Sequence, residues 1–262
     1  MTRALLDKEL HDLDAQVTRL GSLVDTALAQ ALEALETGDQ EKAGMVVVSD
    51  APIDDLHLAI EEHTFRVLSL QQPLAGRDLR YLTALVPMAI DLERIGDEAE
   101  SMAQHVLRML PLRPVGIPQA GTPVQQEQGE SSLSEAGGMN DQLPEASILQ
   151  GILSLGREVR SMLQWTMKAF ADRNAEAALT LWEQDTVVDK DSYTVRRDVM
   201  AILEGAHLIP PLQSDPHLMQ RATYLLWIAY QLERAADHCT NLCERIVFIV
   251  QGETNMLTRL EE

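Results

Sequence analysis

One unit is written twice in this chain, and that duplication constrains the fold more than any other feature. At an offset of 135 residues, Val24 matches Val159, Leu28 matches Leu163, Asp39 matches Asn174, Asp50 matches Asp185 and Asp54 matches Asp189. The offset then becomes 140: Leu85 matches Leu225, Ala89 matches Ala229, Leu92-Glu93-Arg94 matches Leu232-Glu233-Arg234, and Asp97 matches Asp237. One five-residue insertion in the segment GAHLIPPLQSDPH accounts for the jump. A loop accepts such an insertion far more readily than a packed helix does.

The unit is helical. Residues 5–37 place Leu13, Val17, Leu20, Val24, Ala27, Ala31 and Leu35 at helical spacing. Gly38 stops this helix and Asp39 is the expected cap of the next. A second helix is predicted over 39–70, ending before Pro73. A third runs over 77–110, with Leu85, Met88, Leu92, Ile95, Ala99, Met102 and Val106 as its stripe, and Pro111 closes it. The second copy repeats the order over 145–173, 174–204 and 215–251, with Pro210, Pro211 and Pro216 before the last helix. Two prolines fall inside these spans. Each removes a backbone donor, so Pro52 and Pro87 should bend or interrupt their helices, or Pro52 marks a helix start that divides 39–70 in two.

The expected fold is therefore all-α: two tandem three-helix units, a first repeat over 1–110 and a second over 145–262. Aromatics at 4% agree, since helix-on-helix packing leans on the plentiful Ala, Leu, Val and Met. Residues 111–144 are rich in Pro, Gly, Gln, Ser and Glu and nearly free of large apolar side chains. Such a segment cannot bury enough surface to offset its ordering entropy and reads as a flexible linker, with a tethered ligand motif as the alternative.

Charge narrows the function classes. With 41 acidic and 21 basic residues the net charge is −20, a field that repels nucleic acid and anionic lipid and suits cations or a basic protein surface. The N-terminus carries charges throughout, with no signal-peptide core, and no apolar run reaches the ~20 residues of a membrane span. Cys239 and Cys243, four apart on a helix, do not offer a low-strain disulfide and read as core residues in a reducing compartment. The expected location is the cytoplasm.

The chemically distinctive pattern is an acid followed four residues later by Asp. It occurs as Asp50/Asp54, Glu93/Asp97, Asp185/Asp189 and Glu233/Asp237. Residues four apart share a helix face, and like charges there repel by a few tenths of a kcal/mol. A helix selected for stability alone would alternate the sign. All four pairs hold equivalent places in the two copies and border apolar stripes. Two adjacent helices would then present carboxylates to one site, as hard-cation sites require, and bridging carboxylates permit more than one ion. The alternative is a solvated acidic face neutralised by Arg94 and Arg234. His57, His63, His105, His207, His217 and His238 fit no His-Glu-x-x-His spacing, although His238 beside Asp237 is an accessory ligand candidate. No phosphate loop, nucleophile elbow or Ser/His/Asp arrangement is present, so an enzyme is not expected.

Leu92-Glu93-Arg94-Ile95-Gly96-Asp97 and Leu232-Glu233-Arg234-Ala235-Ala236-Asp237-His238, with Asn241 and Glu244 following, resemble the signature of the PhoU family. Arg77-Asp78-Leu79-Arg80 is similar to the stretch that leads into that family's third helix. The likeness covers residues 5–110 and 145–251. It departs where Glu98 stands for the signature His, Ser101 for its Asn, and Ala236 for its Gly. The resemblance implies two three-helix bundles related by a pseudo-twofold axis. It implies that the eight acids hold iron, zinc, manganese or magnesium, and more strongly in the second copy, where Asp237-His238 and Asn241 are intact. It also implies a membrane-peripheral negative regulator linking the ATPase subunit of a phosphate ABC transporter to a sensor histidine kinase, with a homodimer among the arrangements left open. The competing class is a metal-storage bundle, but the Glu-x-x-His motifs of ferritin-like sites are missing at matching positions.

Overall fold

Helix α1 (Arg3–Thr37) buries the full stripe from Leu13 to Leu35. The computed structural model describes residues 3–70, 73–112, 144–205 and 215–252. The linker segment 113–143 and residues 206–214 of the insertion lie outside the described residues, and so does the side chain of Asp185.

The predicted second helix is two helices, α2 (Gln40–Val48) and α3 (Ala51–Leu70). Asp39 caps α2 by accepting from the Lys42 amide at 3.0 Å. The Val46-Val47-Val48 run ends it, and the Ser49 hydroxyl folds back onto the Val46 carbonyl. Pro52 then stands in the first turn of α3, where its missing N–H is not needed. Helix α4 (Gly76–Met109) continues through Pro87 without ending, and a short 3₁₀ turn at Leu110–Leu112 follows it.

In the second repeat, α5 (Pro144–Ala171), α6 (Ala175–Gly205) and α7 (Leu218–Gln251) follow in the same order. Asn174 caps α6 as its counterpart Asp39 caps α2, accepting from the Ala177 amide at 3.0 Å. Among the described residues every element is helical. Cys239 and Cys243 are buried in this core, with Cys243 3.4 Å from the Thr166 hydroxyl.

The two repeats share one hydrophobic core. Helices α4 and α7 meet along its centre, α3 flanks α4, and α6 flanks α7. Helices α1 and α5 also pack together, and their contacts come in matched pairs. A Cβ on Gly21 would stand 2.7 Å from Met167, and one on Gly156 would stand 2.2 Å from Leu32. Both Gly156 and Met167 are 135 residues after Gly21 and Leu32, so one contact is made twice about an approximate twofold axis. Asp25 and its own counterpart Arg160 pair across that axis at 2.8 Å.

Candidate metal centre

The start of α3 and the middle of α4 build the first acidic cluster. Asp50 lies just before α3, and the Asp54 amide bonds back to the Asp50 carbonyl at 3.1 Å, so the two side chains sit at one helix end. Gly96 on α4 lets α3 approach: a Cβ there would meet Ile53 at 3.2 Å and the Asp50 Oδ1 at 3.8 Å. This close seating places oxygens of Asp50, Asp54 and Asp97 all within 4.8 Å of one another. Glu93 stands one turn before Asp97.

The cluster carries the electrostatic signs of crowded carboxylates. Burial, then Asp54, Glu100, Asp97 and Glu93, push Asp50 up to about 6. Burial, then the neighbouring carboxylates, also raise Glu93 and Asp97, with Arg94 opposing both shifts. Arg94 sits on the open rim, 3.2 Å from Asp97 and 3.6 Å from Glu93. Among the described residues no donor reaches the Asp50 Oδ1, which is buried without a hydrogen-bond partner. The His57 Nε2 is likewise buried and has no hydrogen-bond partner among the described residues. Buried polar atoms in native proteins are rarely left so. An oxygen-rich set with an orphaned buried carboxylate oxygen is chemistry that fits a hard cation.

The second cluster is arranged differently. Burial, then the charges of Asp189 and Glu233, raise Asp237. Glu233, however, accepts from the Arg196 guanidinium and, at 3.3 Å, from the Ser192 hydroxyl. The signature residues His238 and Asn241 turn away from the acids of their own repeat. Both reach the buried Asp91 of α4, at 3.0 and 3.2 Å. Arg234 likewise pairs with Glu98 of α4 at 2.9 Å rather than with Glu233.

His57 escaped the spacing test applied to the sequence. The signal was present as Asp54-x-x-His57, two residues one turn apart on α3. The Asp91–His238–Asn241 contact joins residues far apart in the chain, and no local spacing points to it.

A family model described as the PhoU domain matches residues 17–106 and 152–246, one match per repeat. A Clostridium acetobutylicum protein described as a phosphate-specific transport system accessory protein PhoU homolog is 26% identical over 253 residues, 97% of each chain. The Pseudomonas aeruginosa homolog of the same description is 28% identical over 257 residues, covering 97% of this chain and 90% of its own. The crystal structure of PhoU from Pseudomonas aeruginosa is 27% identical with a TM-score of 0.72, covering 94% of this chain and 99% of that one. That of the regulatory protein PhoU from Streptococcus pneumoniae is 26% identical with a TM-score of 0.71, covering 95% and 98%. Matched in both of its repeats and over its whole helical architecture, the chain belongs to the PhoU family.

Proposed function

We propose that this protein is a cytoplasmic negative regulator of phosphate uptake and phosphate-starvation signalling. It acts as an adaptor between the ATPase subunit of a phosphate ABC transporter and a sensor histidine kinase, holding kinase output low when phosphate is sufficient. The observation that carries this is the near full-length match to relatives described as accessory proteins of the phosphate-specific transport system.

Two features of the fold support an adaptor. Among the described residues, no helix is long and apolar enough to cross a membrane, so a membrane partner is reached through a protein surface. Trp227 and Tyr230 are exposed on the α7 face that also carries Asp237. Large exposed aromatic side chains near polar neighbours are typical of partner surfaces.

The acidic clusters are the proposed metal sites, with Asp50, Asp54 and Asp97 as the central set and Glu93 beside them. Asp185, Asp189, Glu233 and Asp237 are the corresponding acids of the second repeat. A cation there supplies positive charge that offsets crowded carboxylates. The chain's own part is to hold the end of α3 against α4 through Gly96 and to keep donors away from Asp50.

Deleting the gene is expected to raise phosphate-starvation gene expression in phosphate-rich medium, and unchanged expression would overturn the regulatory role. A pull-down from cells in high phosphate is expected to recover the transporter ATPase and a histidine kinase. Protein purified without added ions is expected to carry iron, zinc, manganese or magnesium, and to lose it when Glu93, Asp97, Glu233 and Asp237 are all changed to Ala.

A further inference from the structure

We infer that the two acidic clusters are unequal and that Arg196 makes them so: it neutralises the second cluster from within, leaving the first as the one that takes a metal ion. This rests on the metal-binding reading of the first cluster, and it reverses the expectation that the second copy is the stronger site.

The inequality follows from comparing equivalent positions. Arg196 corresponds to Glu61 and Ser192 to His57 at the offset of 135 residues. In the first repeat, these helix positions carry an acid, Glu61, and an imidazole, His57, in place of the two donors. In the second, they offer Glu233 two hydrogen-bond donors, and both reach the same oxygen, Oε2. Ser192 is fully buried and Arg196 is two-thirds shielded, so the donors are held in the packed α6–α7 interface rather than on a loose surface.

A guanidinium keeps its charge at any physiological pH, and a charge-assisted pair of this kind is among the stronger protein hydrogen bonds. A metal ion binding Glu233 has to displace it and leave a half-buried cation without its partner, a costly arrangement. In the first cluster the guanidinium is Arg94, which pairs with Asp97 at 3.2 Å but is about half exposed on the rim, and the Asp50 Oδ1 is left without a partner among the described residues. The signature imidazole spends its Nδ1 on Asp91 of the neighbouring repeat rather than on the second cluster.

The test is a titration of the chelator-treated full chain with Mn²⁺, counting bound ion by electron paramagnetic resonance. In the wild type, Asp50→Asn and Asp97→Asn are expected to abolish the bound signal. Arg196→Gln is expected to raise Mn²⁺ per chain about twofold, because a second carboxylate set of the same ligand chemistry becomes available. Arg196→Lys retains a positive charge and is expected to stay near the wild-type value. Circular dichroism melts of each variant establish that the fold is kept. Equal loading of both clusters in the wild type, or no gain in Arg196→Gln, overturns the inference while the metal reading stands. A wild type that binds no Mn²⁺, with binding in Arg196→Gln that Glu233→Gln removes, overturns the metal reading of the first cluster and sustains the role of Arg196. No binding in either protein overturns both.

Discussion

Asp50 concentrates the chemistry of the first cluster in one side chain: partly buried, ringed by four acids and lacking a donor for Oδ1. Its carboxyl is pushed up to about 6, first by burial and then by Asp54 and the other acids, against about 3.9 for an unfolded Asp. Between those values the folded chain holds a proton that the unfolded chain has released, so stability rises as pH falls through this window. In the presence of chelator, the protein is expected to melt at a higher temperature at pH 5 than at pH 7, and Asp50→Asn to shrink the difference. An unchanged or inverted profile in the wild type would contradict the crowding. Gly96 controls the same site sterically. Gly96→Val puts atoms where Ile53 packs and is expected to cost about 1–3 kcal/mol in urea unfolding, and to lower bound metal by spreading α3 from α4.

At the scale of elements, the two helix ends at Gly38 and Arg173 show how one backbone solution is met by different residues. They are equivalent positions, and both adopt left-handed backbone, with φ of 70° and 51°. Glycine does this without steric cost. An L side chain there costs roughly 1–2 kcal/mol, and Arg173 meets that cost through tertiary contacts. Its guanidinium pairs with Asp14 and stacks over Tyr81 and Phe170, at 4.5 and 4.6 Å from the ring centroids. Gly38→Ala is therefore expected to destabilise the fold by about 1 kcal/mol in denaturant melts, since an alanine has no such contacts to make. On α7, Trp227→Ala is expected to leave the melting curve unchanged and to weaken recovery of the transporter or kinase partner in pull-downs. A lost fold or full partner recovery would remove that face from the adaptor surface.

For the whole molecule, the axis between the repeats matters as much as either bundle. It is lined by polar contacts that cross from α7 to α4: His238 and Asn241 to Asp91, and Arg234 to Glu98. Asp91→Ala strands His238 and Asn241 and is expected to cost about 1–3 kcal/mol, read as a lower midpoint with an unchanged slope in urea. Because the core is continuous, both repeats are expected to unfold in one transition. A chain of residues 1–110 alone would expose the α4 face and the notch at Gly21. It is expected to lack a cooperative melt, and a sharp transition from that fragment would show that the first repeat is independent.

The helices, their repeat and the four acidic pairs were legible in the chain, because helical periodicity, caps and stop signals act over a few residues. The stripes of α1 and α4, the caps at Asp39 and Asn174, and the stop at Pro111 all follow from local geometry. The division of 39–70 was legible too, as one of two outcomes of Pro52, and the helix-start outcome won because proline suits a first turn. Pro87 shows the converse: packing on both sides carries α4 through a residue that local rules mark as a break. What only the tertiary structure decided is partnership. That Asp50 lacks a donor, that Arg196 holds Glu233, and that the signature His238 serves Asp91 depend on which helices lie side by side and how closely. Those distances are set by the close seating of α3 on α4 at Gly96 and by shared core packing, between residues too far apart in the chain for any spacing to encode.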